Sequence, residues 1–367
     1  MTSPPRLANM EKLRFGLIGT GMMGCEHLRN LLPMDDVAIT AVSDPNDTPL
    51  SWAKNTLGDR WDGVAVFKDH RDLLASGAVD VVIIASPNHT HKSVLADVLS
   101  TDIPVLVEKP MCTTIEDCED VVQQSKKRDA VTWVGLEYRY MPSIAHLLTQ
   151  LSSGVIGDLK MISIREHRFP FLEKVDNWNR FTANTGGTLV EKCCHFFDLM
   201  NLVTGALPTR VYASGGQDVN HLDEVYDGRR SDILDNAFVT VDYANGVRAM
   251  LDLSMFAEGG RNEQEIVVVG DTGKIEAAVP GDGYLYIGNR ADRSVSADPV
   301  PQTEVEHVGF HHGASFVELR RFISAVNGEG EVEVSTTDGL WSVVIGAAAH
   351  MSIDERRAVD IAEFGLD

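Results

Sequence analysis

The sequence has few basic side chains and no long apolar run. Its 367 residues include 32 Lys and Arg against 54 Asp and Glu, a formal charge of −22 at pH 7. A chain this acidic is a poor partner for nucleic acid or for an anionic membrane surface. No apolar stretch reaches the length of a membrane span, and the residues before Leu13 contain no hydrophobic segment of a secretory signal. We therefore expect a cytoplasmic protein with neither nucleic acid nor membrane as a partner.

Cysteine is also scarce, and its placement argues against a metal centre and against disulfides. The odd count suits a reducing compartment, and the spacing matches no metal-ligand pattern. The five positions are Cys25, Cys112, Cys118, Cys193 and Cys194. A hydrophobic content of 44% predicts a packed globule, and 367 residues are long for a single core. We predict two domains, residues 1–136 and 137–367, and no bound metal.

The stretch from Leu13 to Leu28 carries the clearest motif. An apolar run ending at Ile18 is typical of a buried parallel strand, and a helical pattern follows a G-x-G-x-x-G turn. This order presents the free N–H groups of a helix N-terminus to an anion. Asp44 ends a second apolar run 20 residues past Gly24, where an acid would bind the adenosine ribose. We predict a dinucleotide site contacted by Gly19, Thr20, Gly21, Met22, Met23, Gly24 and Asp44.

Short β-branched runs alternate with helical patterns up to residue 136. This rhythm predicts an α/β domain with a parallel sheet and right-handed crossovers. Because ligands bind beyond the carboxyl ends of such strands, polar residues that follow the strands are further candidates for the cofactor site. They are Ser86, Asn88, His91, Glu108 and Lys109.

The pattern changes after residue 136. The apolar segments become antiparallel in character, and Asn245-Gly246 between two of them predicts a type I′ hairpin. One helix is expected over 186–202 and two more over 314–326 and 337–351. We predict an α+β domain with a large open, mainly antiparallel sheet. Since an open apolar face is a liability, we also expect an oligomer, and the family resemblance given below implies a homodimer or homotetramer.

Two groups of side chains could carry chemistry. Lys109 follows a strand beside the presumed nicotinamide, where its ammonium could polarise a substrate hydroxyl, although a solvated surface lysine is the simpler alternative. Glu191, His195 and Asp198 are four and three residues apart, on one predicted helical face. This spacing favours a histidine base oriented by a carboxylate, with an ordinary core helix as the alternative.

Aromatic and polar residues elsewhere are candidates for substrate contacts. Tyr138 and Arg139 join the two predicted domains and either line a cleft or pack a hinge. Trp178, among polar neighbours, suits the C–H face of a sugar ring, or equally anchors a surface loop.

With these residues identified, the chain resembles the glucose–fructose oxidoreductase, inositol dehydrogenase and rhizopine catabolism (Gfo/Idh/MocA) family over almost its whole length. The marks are G-T-G-M-M-G at 19–24, Asp44-Pro45, Pro87-Asn88 with His91, Glu108-Lys109-Pro110, Arg139 with Pro142, and the segment from Gly186-Gly187 to His195-Phe-Phe-Asp198. The resemblance implies a Rossmann domain, a second domain with an open sheet, and NAD(P)-linked oxidation or reduction of sugars, inositols and related polyols.

The resemblance also implies roles for single residues. Lys109 matches the family's catalytic lysine and His195 its catalytic histidine, whereas Glu191 stands where inositol dehydrogenases place an aspartate. Lys109, Tyr138, Arg139, Trp178, Glu191 and His195 become the expected substrate contacts. Asp44 favours NAD, because its carboxylate would repel a 2′-phosphate, while NADP stays possible. Two alternatives to a dehydrogenase are a non-catalytic NAD(P)-binding regulator and an enzyme that uses NAD transiently to oxidise a glycoside and eliminate its aglycone.

Overall fold

The computed structural model describes residues 12–302 and 304–366. The prediction about a leader rests on residues that lie almost wholly outside this range. Within the described ranges, no helix is both long and apolar enough to cross a membrane.

The first region is a parallel sheet flanked by helices. Its strands are β1 Leu13–Ile18, β2 Val37–Ser43, β3 Ala65–Phe67, β4 Val81–Ile84, β5 Val105–Glu108 and β6 Thr132–Gly135. Its helices are α1 Met22–Leu31, α2 Asp47–Leu57, α3 His70–Ala75, α4 His91–Leu99 and α5 Ile115–Ser125. The order β3-β2-β1-β4-β5-β6, with every pair parallel, confirms the predicted Rossmann-type sheet.

The sequence explains why these elements form. All four residues of β4 are buried, as expected of a central strand covered on both faces. Asn46 and Asp69 cap α2 and α3, because each side chain accepts a hydrogen bond from a backbone N–H two residues later. The strand ends therefore lead directly into helix N-termini along one edge of the sheet.

The second region is built on a nine-stranded sheet. Its strands are β7 Leu159–His167, β8 Pro208–Gly216, β11 Asn236–Tyr243, β12 Arg248–Ser254, β13 Gln264–Gly270, β14 Gly273–Val279, β15 Tyr284–Asn289, β16 Val295–Pro299 and β17 Val359–Asp360, and β9 Val225–Tyr226 pairs with β10 Arg229–Arg230 as a separate ribbon. The helices are α6 Pro142–Ser152, α7 Thr182–Thr185, α8 Thr188–Glu191, α9 Cys194–Thr204, α10 Ala314–Val326 and α11 Thr336–Glu355.

The sheet order is β16-β15-β14-β13-β7-β12-β11-β8-β17, and only the pair of β7 and β12 is parallel. This confirms the predicted mainly antiparallel sheet. Sequence reasoning missed β15 and the edge strand β16 because both are largely solvated and lack a regular apolar alternation. It missed β17, β9 and β10 because two residues carry no periodic signal.

Two local predictions were wrong. The hairpin between β11 and β12 has no type I′ turn, because Gly246 has a positive φ of 82° and Asn245 does not. The N–H of Gly246 donates to Tyr243 O, which gives a three-residue loop. The helix expected over 186–202 is broken: α8 ends at Glu191 and α9 begins at Cys194. The break changes the direction of the side chains on either side of it.

Helices α10 and α11 join the two regions. Trp133 on β6 donates from Nε1 to Glu318 Oε1 on α10 at 3.2 Å, and its ring packs edge-on against Phe322 at 6.2 Å. Helix α11 packs against α5 and β6 of the first region and against α9 and β8 of the second. The domain boundary at residue 136 stays a prediction.

The nine-stranded sheet leaves one face open. Helices α9 and α11 cover the other face, while Met161, Tyr212 and Phe238 on the open face are 55%, 52% and 60% exposed. The predicted homodimer or homotetramer, which would cover this face, stays a prediction.

Candidate functional site

The glycine turn lies between β1 and α1 and borders a cavity of 810 Å³. Gly19 has a φ of 92°, and a Cβ atom added at Gly24 would lie 2.2 Å from Gly19 O. These two glycines are therefore required by the fold itself. At Gly21 an added Cβ would meet no atom within 4 Å. Gly21 is the N-cap of α1, so no side chain caps the backbone N–H groups at this helix N-terminus, and the space beside them is open. Both features fit the approach of a dinucleotide pyrophosphate.

Asp44 lines the cavity at the end of β2. Its Oδ2 accepts hydrogen bonds from Thr20 N at 2.9 Å and Thr20 Oγ1 at 3.3 Å, and its Oδ1 accepts from Asn46 N at 2.9 Å. Thr20, a predicted cofactor contact, is fully buried and does not line the cavity. Its role is to fix the Asp44 carboxylate at the expected ribose position.

Most of the other predicted cofactor residues line this same cavity. They are Gly19, Gly21, Met22, Met23, Ser86, Asn88, Glu108 and Lys109. Gly24 and His91 do not line it. His91 is buried, with its two ring nitrogens 2.8 Å from Pro110 O and 2.9 Å from Ser86 O. His91 therefore holds together the loops that follow β4 and β5. It does not line the cavity where we expected it to contact the cofactor.

Lys109 and Glu191 meet at the boundary between the two regions. The ammonium of Lys109 donates to Glu191 O at 3.1 Å, and both side chains line the cavity. Glu191 is buried, and its Oε2 has no hydrogen-bond partner among the described residues. Burial raises the pKa of Glu191 to about 7, against the opposing charges of Lys109 and Lys174. The glycine turn and an acid–base pair, Lys109 and Glu191, thus line the same cavity.

His195 lies behind this pair and does not line the cavity. Its side chain is 1% exposed, and its ring stacks on Tyr138 with centroids 3.9 Å apart. Burial, followed by the charges of Lys109 and Lys192, lowers the pKa of His195 well below its usual range. The imidazole is therefore neutral near pH 7 and carries one unprotonated ring nitrogen.

The carboxylate nearest to His195 is one that the helix pattern did not predict. Because the chain breaks between α8 and α9, Glu191 faces the cavity while Asp198 faces Arg139. Glu137 Oε1 instead lies 3.8 Å from His195 Nε2. Glu137 lies two residues beyond the carboxyl end of β6, and that position was the available signal.

Arg139 and Tyr138, both predicted substrate contacts, are placed elsewhere. Arg139 is buried: its Nε donates to Asp198 Oδ2 at 2.7 Å, its Nη1 donates to a backbone carbonyl at 2.7 Å, and its Nη2 lies 3.1 Å from Asp338 Oδ1. Tyr138 is buried, and its hydroxyl accepts a hydrogen bond from Lys192 Nζ at 2.7 Å. Both side chains hold the second region together, since their polar atoms are engaged away from the cavity.

The outer part of the cavity is formed by the loop before α7. Trp178 lines the cavity, as expected of a substrate contact, and its ring packs edge-on against His89 at 6.1 Å. Lys174 in this loop and Arg229 on β10 also line the cavity and were missed, because a single cation carries no sequence pattern. This loop closes the cavity from the side of the second region.

Comparison with known proteins identifies the family. Residues 13–136 match the NAD-binding Rossmann fold model and residues 149–361 the C-terminal alpha/beta domain model of the GFO_IDH_MocA oxidoreductase family. The chain is 26% identical over 355 residues to myo-inositol 2-dehydrogenase of Thermotoga maritima, covering 96% of this chain and 99% of the relative. It is 24% identical over 243 residues to 2,7-anhydro-N-acetylneuraminate hydratase of Mediterraneibacter gnavus, covering 66% of this chain and 62% of that protein.

Its fold is also similar to that of levoglucosan dehydrogenase solved with NADH and levoglucosan, with a TM-score of 0.82 at 20% identity over 96% of this chain and all of the other. At this identity the likeness concerns the fold alone. The two family models together span nearly the whole chain. The cavity is lined both by the glycine turn of the Rossmann region and by Lys109 and Glu191 at the boundary with the second region. The chain therefore belongs to the Gfo/Idh/MocA family and is an NAD-dependent oxidoreductase.

Proposed function

We propose that this protein oxidises a secondary hydroxyl of a sugar, an inositol or a glycoside to a ketone, or catalyses the reverse reduction. The observation that carries this proposal is the single cavity that contains Gly21, Asp44, Lys109 and Glu191. A dinucleotide site and an acid–base pair in one cavity are what alcohol oxidation needs. The first cited relative is named for the same kind of reaction on an inositol.

The residues already described would hold the cofactor. The amides at the start of α1 and the space at Gly21 suit the pyrophosphate, and Asp44 suits the adenosine ribose. NAD, when bound, supplies the hydride acceptor. The polar residues at the ends of β4 and β5 then face the substrate side of the same cavity.

Lys109 would contact the reacting hydroxyl. Its ammonium lines the cavity and is held by the carbonyl of Glu191, so it can donate a hydrogen bond to the substrate oxygen. A fixed positive charge at this point stabilises the negative charge that develops on the oxygen as hydride leaves. Glu191, with a free Oε2 and a pKa of about 7, would accept a hydrogen bond from a substrate hydroxyl.

His195 would take the hydroxyl proton. It is neutral, and its Nδ1 has no partner in the part of the chain that the structure describes. Catalytic hydrogen bonds commonly tighten only when substrate is bound, so the buried position of His195 is compatible with this role. Trp178, which lines the cavity, offers an apolar face for a sugar ring.

The test is a screen of polyols, aldoses and glycosides with NAD and NADP, followed by NADH or NADPH absorbance. We expect turnover with at least one polyol, and a large loss in His195→Ala and in Lys109→Ala measured separately. Unchanged turnover in both variants would refute the assignment. A panel with no substrate would refute the proposed function.

A second function is favoured by the relative named as a hydratase. In that case NAD stays bound, the substrate is oxidised transiently, and elimination or hydration precedes return of the hydride. The distinguishing observation is purified protein that carries NAD(H) and converts a glycoside or anhydro sugar with no net NADH.

A further inference from the structure

We propose that Glu137 and His311 form a proton exit route that leads from His195 to solvent outside the cofactor cavity. The route rests on the proposed function, because oxidation of an alcohol releases one proton for each hydride transferred. A cofactor and a substrate in the cavity would displace water from it, and His195 lies behind the cavity lining, so a path on its other side would lead the proton to solvent.

The centre of the route is a buried carboxyl group with no hydrogen-bond partner. Glu137 is 1% exposed, and neither of its side-chain oxygens has a hydrogen-bond partner within residues 12–302 and 304–366. Its Oε1 lies 3.8 Å from His195 Nε2 and 3.2 Å from His311 Nδ1. A carboxyl that is costly to bury alone thus stands between two imidazoles.

His311 connects this carboxyl to the surface. It lies in the loop before α10, its side chain is 20% exposed, and it does not line the cofactor cavity. Its ring lies 5.8 Å from the ring of Tyr138, which stacks on His195. The two histidines, the tyrosine and Glu137 form one packed cluster.

Burial and the surrounding charges leave Glu137 and His311 uncharged near neutral pH. Besides the two histidines, the groups that act on Glu137 or His311 are Glu108, Lys109, Arg168, Lys192 and Glu318. Burial, with Glu108, raises the pKa of Glu137 to about 8, so the carboxyl carries a proton near neutral pH. Burial, with Lys192 and Lys109, lowers the pKa of His311 to about 3, which leaves a neutral imidazole. Transfer from Glu137 to His311 across the 3.2 Å contact is uphill, because His311 has the lower pKa, and a proton that reaches His311 then passes readily to water.

The transfer balances without any further reactant. Glu137 gives its proton to His311 Nδ1, and His311 releases the proton on Nε2 to water. His195 accepts the hydroxyl proton at Nδ1 and passes the proton on Nε2 to the carboxylate of Glu137. One proton enters and one leaves, and no electron moves. Reduction of a ketone would use the same steps in reverse.

The experiment compares His311→Ala and Glu137→Gln with a matched control in the same loop. His307→Ala is the control, because His307 also pairs with a buried carboxylate, Glu26 Oε1 at 3.1 Å, but does not face Glu137. The measurements are kcat and KM with a substrate from the screen, the isotope effect on kcat in D₂O, and recovery of kcat by added imidazole.

We expect kcat to fall about 10- to 100-fold in His311→Ala and Glu137→Gln, with KM little changed, and the D₂O effect to rise. Imidazole should restore part of the activity of His311→Ala only, and His307→Ala should match the wild type. A His311→Ala variant with wild-type kcat and an unchanged D₂O effect would refute the route, as would a loss that imidazole does not reverse.

A measurement that does not depend on turnover tests the contact between Glu137 and His311 independently of the proposed function. We expect the imidazole signals of His311 in proton NMR titrations to shift in Glu137→Gln and to stay unchanged in His307→Ala. Identical titrations in the wild type and Glu137→Gln would refute the contact. Failure of the wild type to oxidise any polyol would refute the proposed function and this route together, whereas normal wild-type turnover with insensitive variants would refute the route alone.

Discussion

The two halves of the site are assembled in different ways. The cofactor half comes from Gly19, Gly21 and Asp44, within 26 residues of the chain, on consecutive elements of one sheet. The catalytic half gathers side chains separated by up to 202 positions, from Lys109 to His311. Within the glycine motif, Gly21 can be replaced at the cost of NAD binding alone, whereas Gly19 and Gly24 are also required by the fold. The catalytic cluster is instead a shared core, where each group sets the charge state of the next.

The largest loss of kcat should follow substitution of Lys109, which lines the cavity between the cofactor half and the catalytic half. Lys109→Ala removes the only ammonium group proposed to contact the reacting oxygen, and we expect kcat to fall by about 10²- to 10⁴-fold. NAD affinity should change little. The control is Lys127→Ala, an exposed lysine beyond the end of α5, which should behave as the wild type. Comparable kcat values in both variants would contradict the role of Lys109.

The second effect concerns the stability of the catalytic half. The pKa of Glu137 is about 8 in the native protein, above its usual 4.5. Between these values the unfolded chain has lost the proton that the native protein keeps, so the free energy of unfolding falls as pH rises, by about 1.4 kcal/mol per pH unit. Glu137→Gln removes this term, and its stability relative to the wild type should rise through the same range.

Urea unfolding at about pH 5 and about pH 8 measures this difference. Glu363→Gln is a suitable control, because Glu363 is an exposed carboxylate whose pKa is lowered by Arg357. Parallel pH profiles for the wild type and Glu137→Gln would show that Glu137 is ionised in the native protein.

The third effect isolates the cofactor half. Gly21→Val fills space that the protein leaves open, so the fold should tolerate it while the affinity for NAD falls at least about tenfold, or about 1.4 kcal/mol. Gly63→Val is the matched control, because Gly63 also has open space around its Cα but lies outside the cavity. Equal NAD affinity in the two variants, measured by calorimetry, would argue against a pyrophosphate at Gly21.

The smallest effect should be a change of cofactor preference. Asp44→Asn keeps the size of the side chain and removes the charge that would repel a 2′-phosphate, so the ratio of kcat/KM for NAD to that for NADP should fall by about tenfold. Asp47→Asn, at a neighbouring exposed acid on α2 paired with Lys68, should leave the ratio unchanged. A ratio that moves equally in both would reduce Asp44 to a structural role through Thr20.

The contrast between the cofactor half and the catalytic half also explains which parts of the structure could be predicted from the sequence. The parallel sheet, the glycine turn and the strand-end residues could be predicted because β-branched runs and G-x-G-x-x-G follow from local geometry. Lys109 could be placed because it follows one of those strands. The positions of Arg139 and Tyr138 could not, since their partners Asp198 and Lys192 lie more than 50 residues further along the chain.

The catalytic cluster could be predicted only in part, because its members also lie far apart in the sequence. His195 and Glu191 were identified, but a continuous helix was assumed, and the break between α8 and α9 sends their side chains to different surroundings. Glu137 could have been found from its position just beyond the carboxyl end of β6, whereas His311, 174 positions further along the chain, shows no pattern until the chain is folded. The predicted cytoplasmic location and oligomeric state stay predictions.

One paired measurement tests the central claim that a separate cofactor half and catalytic half meet in one cavity. NAD dissociation constants and kcat values are determined together for Lys109→Ala and Gly21→Val. We predict that Lys109→Ala binds NAD as the wild type does and loses turnover, whereas Gly21→Val loses NAD affinity and regains most of its turnover at saturating NAD. Equal losses of binding and of saturated turnover in both variants would contradict the account.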